Sequence, residues 1–287
     1  MYRFILAGVV LFIVIGVKFA PVSVQQDFSK IEIKTSKVAG NVSMLEGSGG
    51  NIGVSTGADG TLIIDDQYAP LADKIKAALK SLSDGKLKFL INTHHHGDHT
   101  GGNEIFGKEA TIIAHSNVRN RMQTKPKEAM PVITYDKAIS IHFNGEEIQS
   151  VYFTKGHTDG DSIIYFTKSN VAHLGDDFSP GRFPIVDLGS GGDVVGLATT
   201  LGEVIKWLPA DVKIIPGHGP VCTIEDVKSY QKMILETTDI VRQQMKAGKS
   251  LDEIKAKGFP EEYKNLGTGF VKPDVWANAI YQSLAKK

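Results

Sequence analysis

The stretch Thr93-His94-His95-His96-Gly97-Asp98-His99 carries four histidines and one aspartate within seven residues. It directly follows Leu87–Asn92, an apolar run that predicts a buried strand. Side chains two residues apart project the same way from extended backbone, so His94 and His96 can share one metal ion. Gly97 lets the chain turn, and Asp98 and His99 can then face a second metal. Imidazole nitrogen and carboxylate oxygen are both ligands of zinc.

A metal site built from one loop is incomplete, and three further loops offer the missing ligands. Each loop contains glycine and follows a predicted strand, the usual position of functional residues. The three candidates are His157 in Gly156-His157-Thr158, Asp176 in Gly175-Asp176, and His218 in Gly217-His218-Gly219-Pro220. A fortuitous histidine-rich tract or an affinity tag is the alternative interpretation. The interior position of the histidine run, directly after an apolar strand, argues against a tag.

Hydrophobic periodicity predicts a mixed α/β (α+β) chain. Predicted strands are 31–35, 42–46, 52–55, 61–65, 87–92, 111–114, 139–143, 147–153, 162–167, 170–174 and 212–215. Predicted helices are 70–82, a polar helix from 116, 193–208, 224–245, 251–257 and 273–285. Asp59-Gly60 predicts a type I′ hairpin turn. Strands followed by a helix, twice over, predict two packed sheets with helices on both outer sides, in one domain over residues 27–287.

Composition restricts the class of protein. Lys and Arg number 32, as do Asp and Glu, so the chain is formally neutral and shows no dense basic run. Net charge therefore gives no argument for a nucleic-acid partner, and a small-molecule substrate is expected. Cys222 is the only cysteine, which excludes an intrachain disulfide and cysteine-rich zinc sites. The oligomeric state is left open.

The N-terminus predicts an export segment. Arg3 precedes Phe4–Val17, a run of 14 apolar or small residues, and Lys18 follows. The run is shorter than the about 20 residues of a spanning helix but suits a secretory signal. Phe19-Ala20-Pro21 is a poor cleavage site, so an uncleaved anchor is the alternative, and a buried core helix is a third. Residues 1–26 are expected to be a signal peptide or membrane anchor of a periplasmic or secreted protein.

The order of the motifs His-x-His-x-Asp-His, Gly-His-Thr, Gly-Asp and Gly-His-Gly-Pro resembles the metallo-β-lactamase superfamily over about residues 40–225. Leu62-Ile63-Ile64-Asp65 is similar to that family's first motif. The resemblance implies a four-layer αββα sandwich with two zinc ions at one edge, iron or manganese being alternatives. It implies that His94, His96 and His157 hold one metal and that Asp98, His99 and His218 hold the other. Asp176 would bridge both metals, and Asp65 would orient a ligand.

The resemblance implies a binuclear metal-dependent hydrolase. A metal-bridged hydroxide, its pKa lowered toward about 7, would attack an acyl centre in an amide, ester or lactone, with Asp98 orienting it. β-Lactamase activity is one expectation, although the family's zinc β-lactamases have cysteine where Asp176 stands, with a lysine soon after it. This chain offers Arg182, a candidate contact for a substrate anion. The alternatives are a glyoxalase-II-like thioesterase or lactonase, a phosphodiesterase, and a non-enzymatic zinc-binding relative.

Overall fold

Two β-sheets form the centre of the fold, which the computed structural model describes over residues 27–286. The first sheet has seven strands, in the order β1 Lys34–Ala39, β2 Val42–Glu46, β3 Ile52–Gly57, β4 Gly60–Ile64, β5 Leu87–Ile91, β6 Thr111–His115 and β7 Ile133–Tyr135. The second has six, and its order is β13 Cys222–Thr223, β12 Lys213–Ile215, β11 Val171–His173, β10 Ile163–Phe166, β9 Glu146–Val151 and β8 Ala138–Phe143. The export segment predicted for residues 1–26 lies outside the described residues and stays a prediction.

Helices cover the outer faces of both sheets. In chain order they are α1 Ala72–Leu82, α2 Gly97–Thr100, α3 Asn103–Phe106, α4 Ser116–Arg121, α5 Val194–Trp207, α6 Ile224–Lys246, α7 Leu251–Lys257 and α8 Pro273–Ala285. Between residues 27 and 286, none of the helices combines the length and the apolarity that crossing a bilayer requires.

The core has three apolar layers, as expected for helix–sheet–sheet–helix packing. Strand β4 shows how the layers arise, because all five of its residues are buried. Leu62 and Ile64 point between the two sheets, whereas Ile63, between them in sequence, packs with α1. This is the period-2 alternation of a strand that is covered on both sides. The outer face of the second sheet packs with α5, α6 and α8. The predicted αββα sandwich is confirmed.

Two predictions about local structure were wrong. The first strand begins at Lys34 and not at residue 31, because Lys74 of α1 donates hydrogen bonds to the carbonyls of Phe28, Ser29 and Ile31. These bonds hold the segment on the helix and away from the sheet. Asp59-Gly60 forms no type I′ turn: Gly57 pairs with Gly60, and of these residues only Gly60 has a positive φ, of 126°.

The site is positioned by parallel strand pairs. β4 and β5 run parallel in the first sheet, and β11 and β12 run parallel in the second. Parallel strands end at the same edge of a sheet, where α/β proteins commonly bind ligands. Asp65 follows β4, the histidine run follows β5, Asp176 follows β11 and His218 follows β12. The register thus brings four motif loops to one edge of the sandwich.

Candidate metal centre

Three histidines from two loops form the first ligand set. The ring of His94 lies 4.8 Å from that of His96 and 4.7 Å from that of His157, centroid to centroid. His157 Nε2 is 2.9 Å from His96 Nδ1. One nitrogen from each ring lies within 4.8 Å of the other two, so the set is compact enough for one metal ion. The sequence prediction grouped the same three residues.

The second ligand set is Asp98, His99 and His218. Asp98 Oδ2 lies 3.3 Å from His218 Nε2 and 3.7 Å from His99 Nε2. These atoms also fall within 4.8 Å of one another. Asp98 and His99 lie in the short helix α2, which begins at Gly97, and the His99 ring lies beside the first set, 4.2 Å from that of His94, centroid to centroid. This grouping also agrees with the prediction.

Asp176 lies between the two sets. Its Oδ1 is 3.2 Å from His99 Nε2 and 3.3 Å from His218 Nε2, on the side of the second set. Its Oδ2 is 3.7 Å from His157 Nε2, on the side of the first set. The carboxylate is 7% exposed, so solvent cannot satisfy both oxygens. A carboxylate in this position can bridge two cations, the role predicted for it.

Three buried atoms test whether a metal fits these residues. His94 Nε2, His99 Nε2 and Asp176 Oδ1 are buried without a hydrogen-bond partner. Buried polar atoms normally have a partner, and leaving one unpaired is costly. All three can act as acceptors and lie within 4.8 Å of one another, so cations held by the two sets would satisfy them. The donors are imidazole nitrogen and carboxylate oxygen, which suit zinc and also iron or manganese. The residues fit a divalent metal ion.

A hydrogen-bonded chain outside the ligands fixes two of the imidazoles. Thr93 Oγ1 donates to Asp65 Oδ2 at 2.7 Å, so at 3.0 Å it accepts from His94 Nδ1. His99 Nδ1 also donates to Asp65 Oδ2, at 2.7 Å. Both Nδ1 atoms therefore carry hydrogen, which leaves the Nε2 atom of each ring to bind a metal, in His99 by giving up a proton. Asp65 contacts His99 as predicted, and its φ of 62° is uncommon for a non-glycine residue.

Asp187 and Ile185, which the sequence analysis missed, fix the other two histidines. Asp187 Oδ2 accepts from His96 Nε2 at 3.0 Å, and the carbonyl of Ile185 accepts from His157 Nδ1 at 2.7 Å. The backbone N–H of Asp187 donates to the carbonyl of His157 at 2.8 Å, which ties the two loops together. One loop thus orients two ligands of the first set. No motif or spacing in the sequence marks this loop.

Charges within the cluster shift the pKa values of its members. Burial lowers the pKa of His94 well below its usual value, and the nearby charges of His99 and His157 add to this. Burial also opposes protonation of His99 and His218, but Asp176 together with Asp65 for His99, and Asp176 together with Asp98 for His218, outweighs it. As a result the pKa of His99 is well above its usual value and that of His218 rises to about 9. Burial alone would raise the pKa of Asp98, but the His218 hydrogen bond and the His99 charge lower it, so Asp98 is ionised at neutral pH.

Neighbouring residues with metal-binding side chains have structural partners. His173 Nε2 donates to the carbonyl of Asn51 at 3.0 Å, and its Nδ1 accepts from the backbone of Gly175 at 3.1 Å. Asp177 Oδ1 accepts from the backbone N–H of His157 at 2.9 Å. These contacts leave Asp176, and not its neighbour, facing the two sets. His95 points away toward Ser190, with Nε2 3.3 Å from Oγ.

A cavity of about 390 Å³ opens onto both ligand sets. Five of the seven candidate ligands line it, together with five other residues: His96, Asp98, His157, Asp176 and His218, with Tyr68, Ser179, Arg182, Ile185 and Phe270. Among residues 27–286, Arg182 finds no hydrogen-bond acceptor or carboxylate partner, so its guanidinium is available to a ligand. The volume lies at the small end of the range for ligand pockets, about 300–1,000 Å³. It suits a small molecule.

Comparisons with known proteins agree with this geometry. The curated hydroxyacylglutathione hydrolases of Pelagibacter ubique and Rhodospirillum rubrum are 30% and 34% identical over 149 and 152 residues. These matches cover 50% and 52% of this chain and 57% and 54% of the relatives, so the chain spans little more than half of their length.

Solved structures show the same fold at low sequence identity. A metallo-beta-lactamase from Pontibacter korlensis matches with a TM-score of 0.64 and 14% identity, over 71% of this chain and 99% of its own. A double mutant of the sec-alkyl sulfatase PisA1 matches with a TM-score of 0.72 and 15% identity, over 88% of this chain and 50% of its own. The family model described as "Metallo-beta-lactamase superfamily" matches residues 36–218, the part of the chain that carries all four motif loops. The chain therefore belongs to the metallo-beta-lactamase superfamily.

Proposed function

We propose that this protein is a metal-dependent hydrolase of small acyl thioesters, with two divalent metal ions, preferably zinc, at the centre described above. The position of Asp176 carries the proposal, because its two oxygens lie within 3.7 Å of ligands from both sets. The names of the curated relatives support thioester hydrolysis over β-lactam hydrolysis. The thiol part of the substrate is left open, since the relatives match only half of this chain.

His94, His96 and His157 would hold one metal, Asp98, His99 and His218 the other, and Asp176 both. Metal ions bound there supply Lewis acidity and lower the pKa of water, so that hydroxide is available at neutral pH. The protein's own contribution is orientation. The partners of Nδ1 in His94, His99 and His157, and of Nε2 in His96, aim the opposite nitrogens of these rings at the centre.

Asp98 has a further role. It is ionised at neutral pH, as its lowered pKa indicates, and it lines the cavity. An ionised carboxylate only accepts hydrogen bonds, so Asp98 can orient the attacking water or hydroxide. Arg182, without a protein carboxylate partner, offers a forked donor to an anionic group of the substrate.

A hydrolysis panel tests this proposal. Zinc-loaded protein is assayed with matched thioesters, lactones, β-lactams and bis-aryl phosphates, before and after chelation. We expect kcat/KM for thioesters to exceed that for each other class by tenfold or more, about 1.4 kcal/mol of transition-state binding. Chelation should abolish turnover and zinc should restore it. A tenfold preference for lactams or phosphodiesters, or turnover that survives chelation, would overturn the proposal.

A further inference from the structure

One apolar side chain at the metal cavity is almost fully exposed. Phe270 is 84% exposed, the highest value among the six exposed large hydrophobic residues of the described chain. It is also the only one of those six that lines the metal cavity. Exposed apolar residues scattered singly need no explanation, but one placed at the rim of a binding cavity is available to a ligand.

The backbone on both sides of Phe270 is held by packing. The preceding turn spans Glu261–Thr268, and the following helix α8 begins at Pro273. Val271 is 6% exposed and belongs to the core of the helical layer. Gly267, also buried, leaves no room for a Cβ against the ring of Pro273. The exposed ring is therefore presented by a fixed segment rather than by a fraying end.

The residues around Phe270 divide the cavity into a polar and an apolar part. The metal ligands and Arg182 form the polar part, whereas Tyr68, Ile185 and Phe270 add apolar surface. The segment of Phe270 lies against Arg182, because a Cβ at Gly269 would be 3.6 Å from the Cβ of Arg182. A substrate that reaches Arg182 thus occupies a cavity that Phe270 also lines.

We propose that Phe270 is a specificity-determining residue that contacts an apolar group of the substrate. It makes the enzyme selective for thioesters that carry an aromatic or branched apolar group over thioesters that carry a methyl group there. This inference rests on the proposed function for the bond that is cleaved. The family match ends at residue 218, so this selectivity comes from a C-terminal segment outside the matched region. Aromatic rings bury a large area when they pack together.

The test compares Phe270→Ala and Phe270→Leu with the wild type on two matched substrate pairs. In the first pair the two thioesters have the same thiol, and the acyl group is acetyl in one and phenylacetyl in the other. In the second pair the two thioesters have the same acyl group, and the thiol carries a methyl group in one and a benzyl group in the other. We expect Phe270→Ala to lower kcat/KM about tenfold for the apolar member of at least one pair, mainly through KM. The methyl members should change by less than about twofold, and Phe270→Leu should recover most of the loss. Tenfold corresponds to about 1.4 kcal/mol.

Val275→Ala is the matched control, because Val275 is 51% exposed on α8 but does not line the cavity. Equal zinc content and equal melting temperature show that the variants are folded. The inference is overturned if Phe270→Ala leaves all four substrates unchanged or lowers apolar and methyl members equally. If the wild type cleaves another class of bond and no thioester, the proposed function fails. Substrates of that other class, matched so that one carries an apolar group where its partner carries a methyl group, then test the role of Phe270 separately.

Discussion

Replacing Asp187 by asparagine should weaken the first metal site specifically. The carboxylate accepts from His96 Nε2 at 3.0 Å through one oxygen and from the backbone of Ser190 at 3.0 Å through the other. Because a carboxylate only accepts, it keeps the proton of His96 on Nε2 and leaves Nδ1 free for a metal. An amide has one donor end and one acceptor end, so it cannot satisfy both neighbours. If the amide turns its NH₂ group toward His96, it favours the His96 tautomer that is protonated on Nδ1. If it turns its NH₂ group toward Ser190, two donors face each other and the Ser190 N–H loses its acceptor.

The size of the effect follows from this geometry. Losing a hydrogen-bond partner of a metal-binding histidine typically costs 10–100-fold in metal affinity. The Asp187 side chain is 31% exposed, so water partly replaces the lost bond, and we expect the loss of metal affinity to lie at the lower end of that range. We expect the affinity of the first site to fall about tenfold, or about 1.4 kcal/mol. The second site, which Asp187 does not contact, should change by less than about threefold.

The assay is a competition titration of zinc against a chromophoric chelator, fitted for two sites. Asp211→Asn is the control, because Asp211 is exposed and accepts a hydrogen bond only from the Asn170 side chain at 3.0 Å. It makes the same change of charge away from the site. The reasoning fails if Asp187→Asn binds both metals as tightly as the wild type. It also fails if Asp211→Asn loses as much affinity.

Three further predictions concern the metal centre. His157→Ala should lower metal content and hydrolysis together, whereas the exposed His142→Ala should change neither; elemental analysis alongside an activity assay checks this. Metal binding at pH 7 should release protons from His99 and His218, because the pKa of His218 is raised to about 9 and that of His99 well above its usual value in the metal-free protein; titration calorimetry in buffers of different ionisation heat measures the release, and zero would contradict it. Gly217→Ala should reduce zinc binding, because its methyl group would collide with Asp176 Oδ1; unchanged zinc content would argue against this close approach.

The sequence could group the candidate ligands because their positions follow from strand order. Asp65, the histidine run, Asp176 and His218 each follow a strand of a parallel pair, so chain order predicts their meeting at one edge. His157 reaches the same edge because β9 and β11 are both antiparallel to β10 and so end together. The three atoms without partners in His94, His99 and Asp176 then agree with a metal there. The αββα layers follow from the same pattern, since strands such as β4 bury both faces.

Other parts of the site depend on contacts that sequence patterns do not encode. Asp187 orients His96 from a loop 91 positions away in the sequence. The acceptor for His157 is the backbone carbonyl of Ile185, and every residue type has such a carbonyl, so the sequence does not mark it. Phe270 reaches the cavity only because the C-terminal segment folds back over it. The turn at Ala58–Asp59 differs from the prediction because Asp59 accepts a hydrogen bond from the backbone of Asn144 in the other sheet, at 2.6 Å. Tertiary contacts decided these details.

A zinc titration of metal-free protein tests the central claim most directly. Protein stripped by a chelator receives increasing zinc, and each sample is assayed for bound metal per chain and for thioester hydrolysis. Because Asp176 lies between two complete ligand sets, we predict that hydrolysis is absent without metal and reaches its maximum at two zinc ions per chain. Full hydrolysis by the metal-free protein, or a maximum reached at one zinc ion per chain with no second ion bound, would contradict the account.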